Sequence, residues 1–500
     1  MISLEVQNVL KTSLTEHGLH KTWASLLQAH VRASGEKFAY ILNHPDFVDA
    51  EPISDLLSGL SVGEAGILYE FSLAFVDFGS RAEQGQYFTP DDVAQFMVSH
   101  AEAFSKDKVW LDPCSGVGNL SYWLIKAQDN PEDFLMNNLI LIDRDPLAVF
   151  IAAVIMTTHF QDKQENLFND FINKCVIRDY LADDPLPAHD YTLMNPPYVQ
   201  AEQDTRFTSA KSGDLYAYFL EKAVKHSEVI AITPQSFLNA GKFAGLRSVL
   251  ADKALTIYAF DNVPDTIFRG FKFGSTNSNT ANSTRAAITV VQEKTDGHVS
   301  KITPLLRWRS AERAAMFAVA PSFLAPFTPT EDIFPKCGSS LKALYDELAS
   351  KPALKTLLSA RPTEWKLTIP SSPRYFTPAV KRELSRSSTK VIYFKNEDDF
   401  KKAYLLLNSS LFYWWWRVMD GGMTISLKTI QTLPLPDFVV DENAITLLEK
   451  SENENVVIKM NAGKPNENVK HPVSLVQSLN ALVAPEYAAA LFDTHKNTCL

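Results

Sequence analysis

At the start of the chain, apolar residues recur at helical spacing, as at Val6, Leu10 and Leu14 and again at Ile67, Leu68, Phe71, Ala74 and Phe75. That repeat predicts an α-helical N-terminal region over 1–84. A helix start follows at Thr89-Pro90-Asp91-Asp92, where Thr89 can cap, Pro90 suits the first turn and two acids face the positive helix end. The predicted helix runs to about Phe104. From there the pattern changes to short apolar strands that alternate with amphipathic helices. The strands are predicted at 109–111, 139–142, 175–177, 191–194, 229–232, 256–260 and 286–291, with helices near 120–127, 147–160, 215–226 and 241–251. Strands separated by helices of this length predict an α/β fold, a doubly wound, mostly parallel, Rossmann-like sheet covered on both faces, over 85–295. Beyond residue 300 prolines punctuate short segments, which predicts a loop-rich C-terminal domain at 300–440 and a tail at 441–500.

Length and composition narrow the class. A chain of 500 residues exceeds what one hydrophobic core usually organises, so two or three domains are expected. The first residues lack the basic and apolar regions of a secretory signal, and the most apolar helical run, 147–160, is too short to cross a bilayer. A cytoplasmic location with no membrane partner is expected. Cys114, Cys175, Cys337 and Cys499 are far apart and form no C-x-x-C pair, so free thiols are expected and no metal site. The net charge of −10 argues against a nucleic-acid partner only if it is evenly spread, and residues 361–395 carry a net +6. Within that stretch Lys381, Arg382 and Arg386 are candidate phosphate contacts, and a solvated surface is the alternative.

The chemistry-bearing residues fall at predicted strand ends, where open α/β sheets bind ligands. The first strand leads into Asp112-Pro113-Cys114-Ser115-Gly116-Val117-Gly118. Gly116 and Gly118 allow a sharp turn and close approach of a ligand. Asp112, expected on a surface-facing loop, would repel a pyrophosphate and suits an ammonium group. The second strand ends at Asp143, placed for a ribose hydroxyl pair, and Asp145 before Pro146 reads as a helix cap. The third ends at Asp179, which can accept a hydrogen bond from an adenine amino group.

The fourth strand ends in Asn195-Pro196-Pro197-Tyr198, a tetrapeptide with a chance occurrence on the order of one in a thousand for such a chain. The Asn195 side-chain oxygen and the Pro196 carbonyl can accept hydrogen bonds from a planar amine and draw its nitrogen toward a tetrahedral form. Tyr198 offers a face on which an extruded base can stack. Upstream, the helix start with the Thr89 hydroxyl is a site for a carboxylate. The aromatic run Phe412-Tyr413-Trp414-Trp415-Trp416 reads as core in preference to a base-stacking platform.

In this order the segments resemble the gamma-class amino methyltransferases of restriction-modification systems. Gln86-Tyr87-Phe88-Thr89-Pro90, the Asp112 to Gly118 loop and Asn195-Pro196-Pro197-Tyr198 resemble three motifs of that family. The resemblance covers about 65–295. It implies a site-specific DNA methyltransferase that moves a methyl group from S-adenosylmethionine to the N6 amino group of adenine in double-stranded DNA. The cofactor set is then Thr89, Asp112, Gly116, Gly118, Asp143 and Asp179, and the target-base set Asn195, Pro196 and Tyr198. Phe268 or Phe271 would flank the flipped base, and 300–440 would recognise the DNA target. The opening Asn favours adenine over cytosine N4. Two alternatives stay open: the modification subunit of a type I system that needs a specificity subunit, and an N-methyltransferase of RNA or protein glutamine. A cognate endonuclease is a further expected partner.

Overall fold

The computed structural model describes residues 4–48, 50–51, 53, 55–76, 89–105, 107–268, 284–372, 376–420, 424–461, 463–496 and 498–499. The chain divides into two compact units, one of Met1–Phe237, Lys242–Ile257 and Thr266–His298, the other of Leu238–Gly241, Tyr258–Asp265 and Val299–Leu500.

The first unit opens with helices. Helix α1 (Leu4–Ser34) is interrupted at Gly18, whose φ of 74° lies in the left-handed region, and α2 (Val62–Val76) follows. Helix α3 (Asp91–Ser99) begins one residue after Pro90, which occupies the N-cap. Thr89 is therefore not the cap, a correction to the sequence reading, and its hydroxyl is left for another role. The predicted alternation then appears, with two further helices, α5 and α7, that the sequence reading did not include: β1 (Trp110–Asp112), α4 (Asn119–Lys126), α5 (Pro131–Asn137), β2 (Leu139–Asp143), α6 (Pro146–Phe160), α7 (Leu167–Ile172), β3 (Val176–Ile177), β4 (Tyr191–Met194), α8 (Leu215–His226), β5 (Glu228–Pro234), α9 (Ala244–Ala251), β6 (Ala254–Phe260) and β7 (Ala286–Gln292).

The strand order is β3-β2-β1-β4-β5-β7-β6. Pairings β2–β3, β1–β2, β1–β4 and β4–β5 are parallel, and β7 runs antiparallel to β5. The sheet is the mostly parallel, doubly wound sheet expected, with the chain reversing its direction of travel between β1 and β4. A crevice opens at the carboxyl ends of strands on either side of such a switch point, and Asp112 and Asn195 lie there. Helix α6 is buried along Leu147–Thr157, which explains its nearly unbroken apolar sequence.

The second unit has its own core, built on the helices Glu397–Asn408 and Ser410–Met419. Trp414, Trp415 and Trp416 are buried in it, so the aromatic run is core. Strand Lys366–Pro370 pairs antiparallel with Thr389–Tyr393. Residues 441–500 are not the tail the sequence suggested. They form helix Glu442–Glu454, a hairpin of Val456–Asn461 with Lys464–Val469, and helix Val473–Val483, and they contribute Leu448, Leu479 and Val483 to that core. Among the described residues no helix is long and apolar enough to cross a membrane.

Candidate active site

A cleft at the switch point is lined by residues from several segments. The β1 loop gives Asp112, Cys114, Gly116 and Asn119, the β2 end gives Asp143 and Arg144, and the β3 end gives Arg178, Asp179 and Tyr180. Asn195 and Pro197 come from the β4 end, Leu215 and Phe219 from α8, and Gly66, Tyr69 and Glu70 from α2, with Thr89 beside them. Thr89, Asp112, Gly116, Asp143, Asp179 and Asn195, all singled out from sequence, are thus brought together.

Asp112 is 2 % exposed, which corrects its expected place on a surface-facing loop. Its carboxylate accepts the Ser121 hydroxyl at 2.8 Å and the Cys114 N–H at 3.4 Å. Burial strips the carboxylate of water and raises its pKa from 3.8 to about 7. A group in that state gains most from a cationic partner. Asp143 is also buried, and burial pushes its pKa up against the backbone donors that lower it. Its Oδ2 accepts the Gly116 N–H at 2.8 Å and its Oδ1 the Asp145 N–H at 3.0 Å. Each oxygen then has acceptor capacity left for a hydroxyl pair. Asp145 caps α6 as read from sequence, accepting from Leu147 and Ala148. Asp179 is exposed and accepts the Leu181 N–H at 2.8 Å.

The two glycines part company. Gly116, at φ 51°, lines the cleft. Gly118, at φ 84°, is not among the lining residues, and a Cβ there would clash with Met156 Cε. Its place is set by the packing of the loop on α6.

Asn195 and Thr89 meet: Asn195 Nδ2 donates to Thr89 Oγ1 at 2.9 Å. The backbone carbonyl of Thr89 accepts Asn119 Nδ2 at 2.7 Å. The first bond turns the Asn195 amide so that Oδ1 is the atom suited to accept from an amine, and leaves the Thr89 O–H able to donate. Pro196 is buried, and neither it nor Tyr198 lines the cleft itself. Tyr198 donates its hydroxyl to the Ile232 carbonyl at 2.9 Å, and its ring meets Phe268 edge-on at 5.8 Å and Tyr216 at 6.2 Å. Gln86, Tyr87, Phe88, Phe271 and Arg374 lie outside the described residues. Burial beside Asp112 and Asp143 holds the Cys114 thiol protonated, and all four cysteines are free. Among the described residues no group of three or more His, Cys, Asp or Glu is placed to hold a metal ion.

Sequence reasoning missed Tyr69, Glu70 and Asn119. Tyr69 and Glu70 stand side by side in a mainly apolar helix, the one signal that pointed to them. Tyr180 and Phe219, with ring centroids 5.1 Å apart, form an aromatic wall beside Asp179.

The expected phosphate contacts are differently placed. Lys381 pairs with Glu449 at 2.7 Å and Arg382 with Glu467 at 2.5 Å, while Arg386 donates to the Glu467 carbonyl. These side chains are paired within the second unit. Arg361 in the same stretch is exposed.

Residues 137–268 match the family model described as Eco57I restriction-modification methylase. The type II methyltransferase M.PstI of Providencia stuartii is 26% identical over 190 residues, 35% of this chain and 37% of the relative. The chain therefore spans little over a third of that relative's length in the match. Among solved structures, the type IIG restriction endonuclease BpuSI overlays 98% of this chain on 78% of its own, at 12% identity and a TM-score of 0.48. A type I restriction-modification methyltransferase subunit from Streptococcus thermophilus overlays 69% on 79%, at 15% identity and a TM-score of 0.37.

Proposed function

We propose that the chain is an S-adenosylmethionine-dependent DNA methyltransferase of a restriction-modification system, acting on the N6 amino group of adenine in double-stranded DNA. The observation that carries this reading is the convergence of Asp112, Asp143, Asp179, Thr89 and Asn195 on one cleft at the switch point, within and beside the segment that matches the methylase family.

The residues fit the cofactor in kind. Asp112, buried and short of charge partners in its own donor set, takes the ammonium group, and the Thr89 hydroxyl donates to the carboxylate. Asp143 takes the ribose hydroxyls and Asp179 the adenine amine, against the wall of Tyr180, Phe219 and Leu215. When bound, S-adenosylmethionine supplies a methyl group on a cationic sulfur. Asn195 Oδ1 and the Pro196 carbonyl accept hydrogen bonds from the target amine, which strengthen as its nitrogen gains positive charge, so their effect falls on the transition state. Tyr198 and Phe268 give the extruded base an aromatic lining. Gly118, assigned to the cofactor from sequence, serves instead to let the loop pack on α6. The second unit is proposed to recognise the DNA target, and the enzyme to work in the cytoplasm, with a specificity subunit or an endonuclease as possible partners.

Sequencing modified bases in DNA from cells that express this chain alone tests the reading. N6-methyladenine at one short sequence is the expected result. Unmodified DNA would point to a required specificity subunit if its co-expression restores the mark, and would refute the reading if nothing does.

A further inference from the structure

Helix α2 reaches the carboxylate assigned to the ribose through a short chain of hydrogen bonds. Tyr69 donates its hydroxyl to Asp145 Oδ2 at 2.5 Å. The other oxygen of Asp145 accepts the Leu147 N–H at 3.0 Å and the Ala148 N–H at 3.3 Å. The backbone N–H of Asp145 in turn donates to Asp143 Oδ1 at 3.0 Å. Asp145 is thus gripped from two sides, by the first turn of α6 and by Tyr69, and its own N–H sets the direction of its neighbour's carboxylate.

Tyr69 is itself held in place. The Trp23 ring meets it edge-on with centroids 5.3 Å apart, and Trp23 Nε1 donates to Ser72 Oγ at 3.0 Å, one turn further along α2. At the start of α2, Ser61 Oγ donates to Asp91 Oδ2 at 2.6 Å and Trp123 Nε1 to Asp91 Oδ1 at 3.0 Å. There Gly63 passes so close that a Cβ would clash with the Asp91 carboxylate. The helix is fixed at both ends of the segment that faces the cleft, against α3 and α4 at its start and against α1 beyond it.

We infer that Tyr69 is a positioning residue for nucleoside recognition, fixing through Asp145 the direction in which Asp143 presents its carboxylate to a ribose diol. The inference rests on the ribose role proposed for Asp143. An acceptor with one backbone donor on each oxygen has its remaining lone pairs aimed by those donors, so freedom in the Asp143–Asp145 turn becomes misdirection at the ligand. Removing the Tyr69 hydroxyl leaves the helix cap on Asp145 Oδ1 intact and releases Oδ2.

The test is calorimetric titration of the wild type and Tyr69→Phe, which keeps the ring against Trp23, with S-adenosylhomocysteine and with its 2′,3′-dideoxy counterpart. The variant is expected to lose roughly tenfold in affinity for S-adenosylhomocysteine, the order of one hydrogen bond to a charged group, and to bind the dideoxy ligand as the wild type does. Equal affinity for S-adenosylhomocysteine, or the same loss on both ligands, would overturn the inference. If Tyr69→Phe does not fold, Asp145→Asn, which retains Oδ1 for the cap, is read by the same criterion. A wild type that binds no S-adenosylhomocysteine would instead sink the methyltransferase reading, and the role of Tyr69 with it.

Discussion

A carboxylate that is 2 % exposed and held by one hydroxyl and one N–H is a site waiting for positive charge. Because the folded pKa of Asp112 is raised from 3.8 to about 7, protonation favours the folded state. The stabilisation is full below about pH 4 and is lost as pH rises through about 7. An ammonium ligand has the opposite preference, for the ionised form. Affinity for S-adenosylmethionine should therefore rise roughly fivefold between pH 6 and 7, following the ionised fraction, and level off as the ligand's own amino group titrates near pH 8. Asp112→Asn should bind weakly and lose this rise, as calorimetry across that range will show. A wild-type affinity flat with pH would remove Asp112 from the ammonium. Asp112, Asp143 and Asn195 were legible in the sequence because each follows a short apolar run, and Asp112 and Asn195 stand directly before proline. Tyr69 and Asn119 were not, because what they do depends on partners 76 and 30 residues away, a separation that no local pattern carries.

At the scale of elements, the alternation of strand and helix periods located nearly every strand of the first unit. Direction was not legible, since an apolar run such as Ala286–Gln292 reads the same whether it pairs parallel or, as here, antiparallel to β5. The sequence also treated the two glycines of the β1 loop alike, although one faces the cleft and the other the helix behind it. Gly118→Ala forces its Cβ against Met156 Cε and Ala152 Cβ at a φ of 84°. A loss of about 1–3 kcal/mol is expected from overpacking, read from urea unfolding, and the double variant with Met156→Ala should lose less than the sum of the two single losses. Stability unchanged in Gly118→Ala would show that the loop is not seated on α6. The last sixty residues were misread for a related reason: the helix Glu442–Glu454 is polar over most of its surface, and Val469 of the hairpin packs with Val380 and Leu384, far earlier in the chain.

For the molecule as a whole, charge counted along the sequence does not show which cations are already paired. The local excess over 361–395 is real, yet Lys381 and Arg382 are matched by Glu449 and Glu467, which lie far off in sequence and so escaped the count. Cations already paired release few counterions on meeting DNA. Lys381→Ala with Arg382→Ala should therefore change the slope of log affinity against log salt by much less than 0.9 per residue, whereas Arg361→Ala should approach that value if its exposed side chain meets a phosphate. Binding measured at four or five salt concentrations distinguishes the two, and a full slope change for the paired residues would contradict the account. The most direct test of the central claim concerns Asn195, whose amide is turned by Thr89 to offer an acceptor. Single-turnover methylation of a DNA duplex containing the recognition sequence, with the product nucleoside identified by mass, is the decisive measurement. The account predicts N6-methyldeoxyadenosine from the wild type, and in Asn195→Ala a rate lower by roughly 100-fold or more with cofactor affinity little changed. Methylation by Asn195→Ala at the wild-type rate would contradict it.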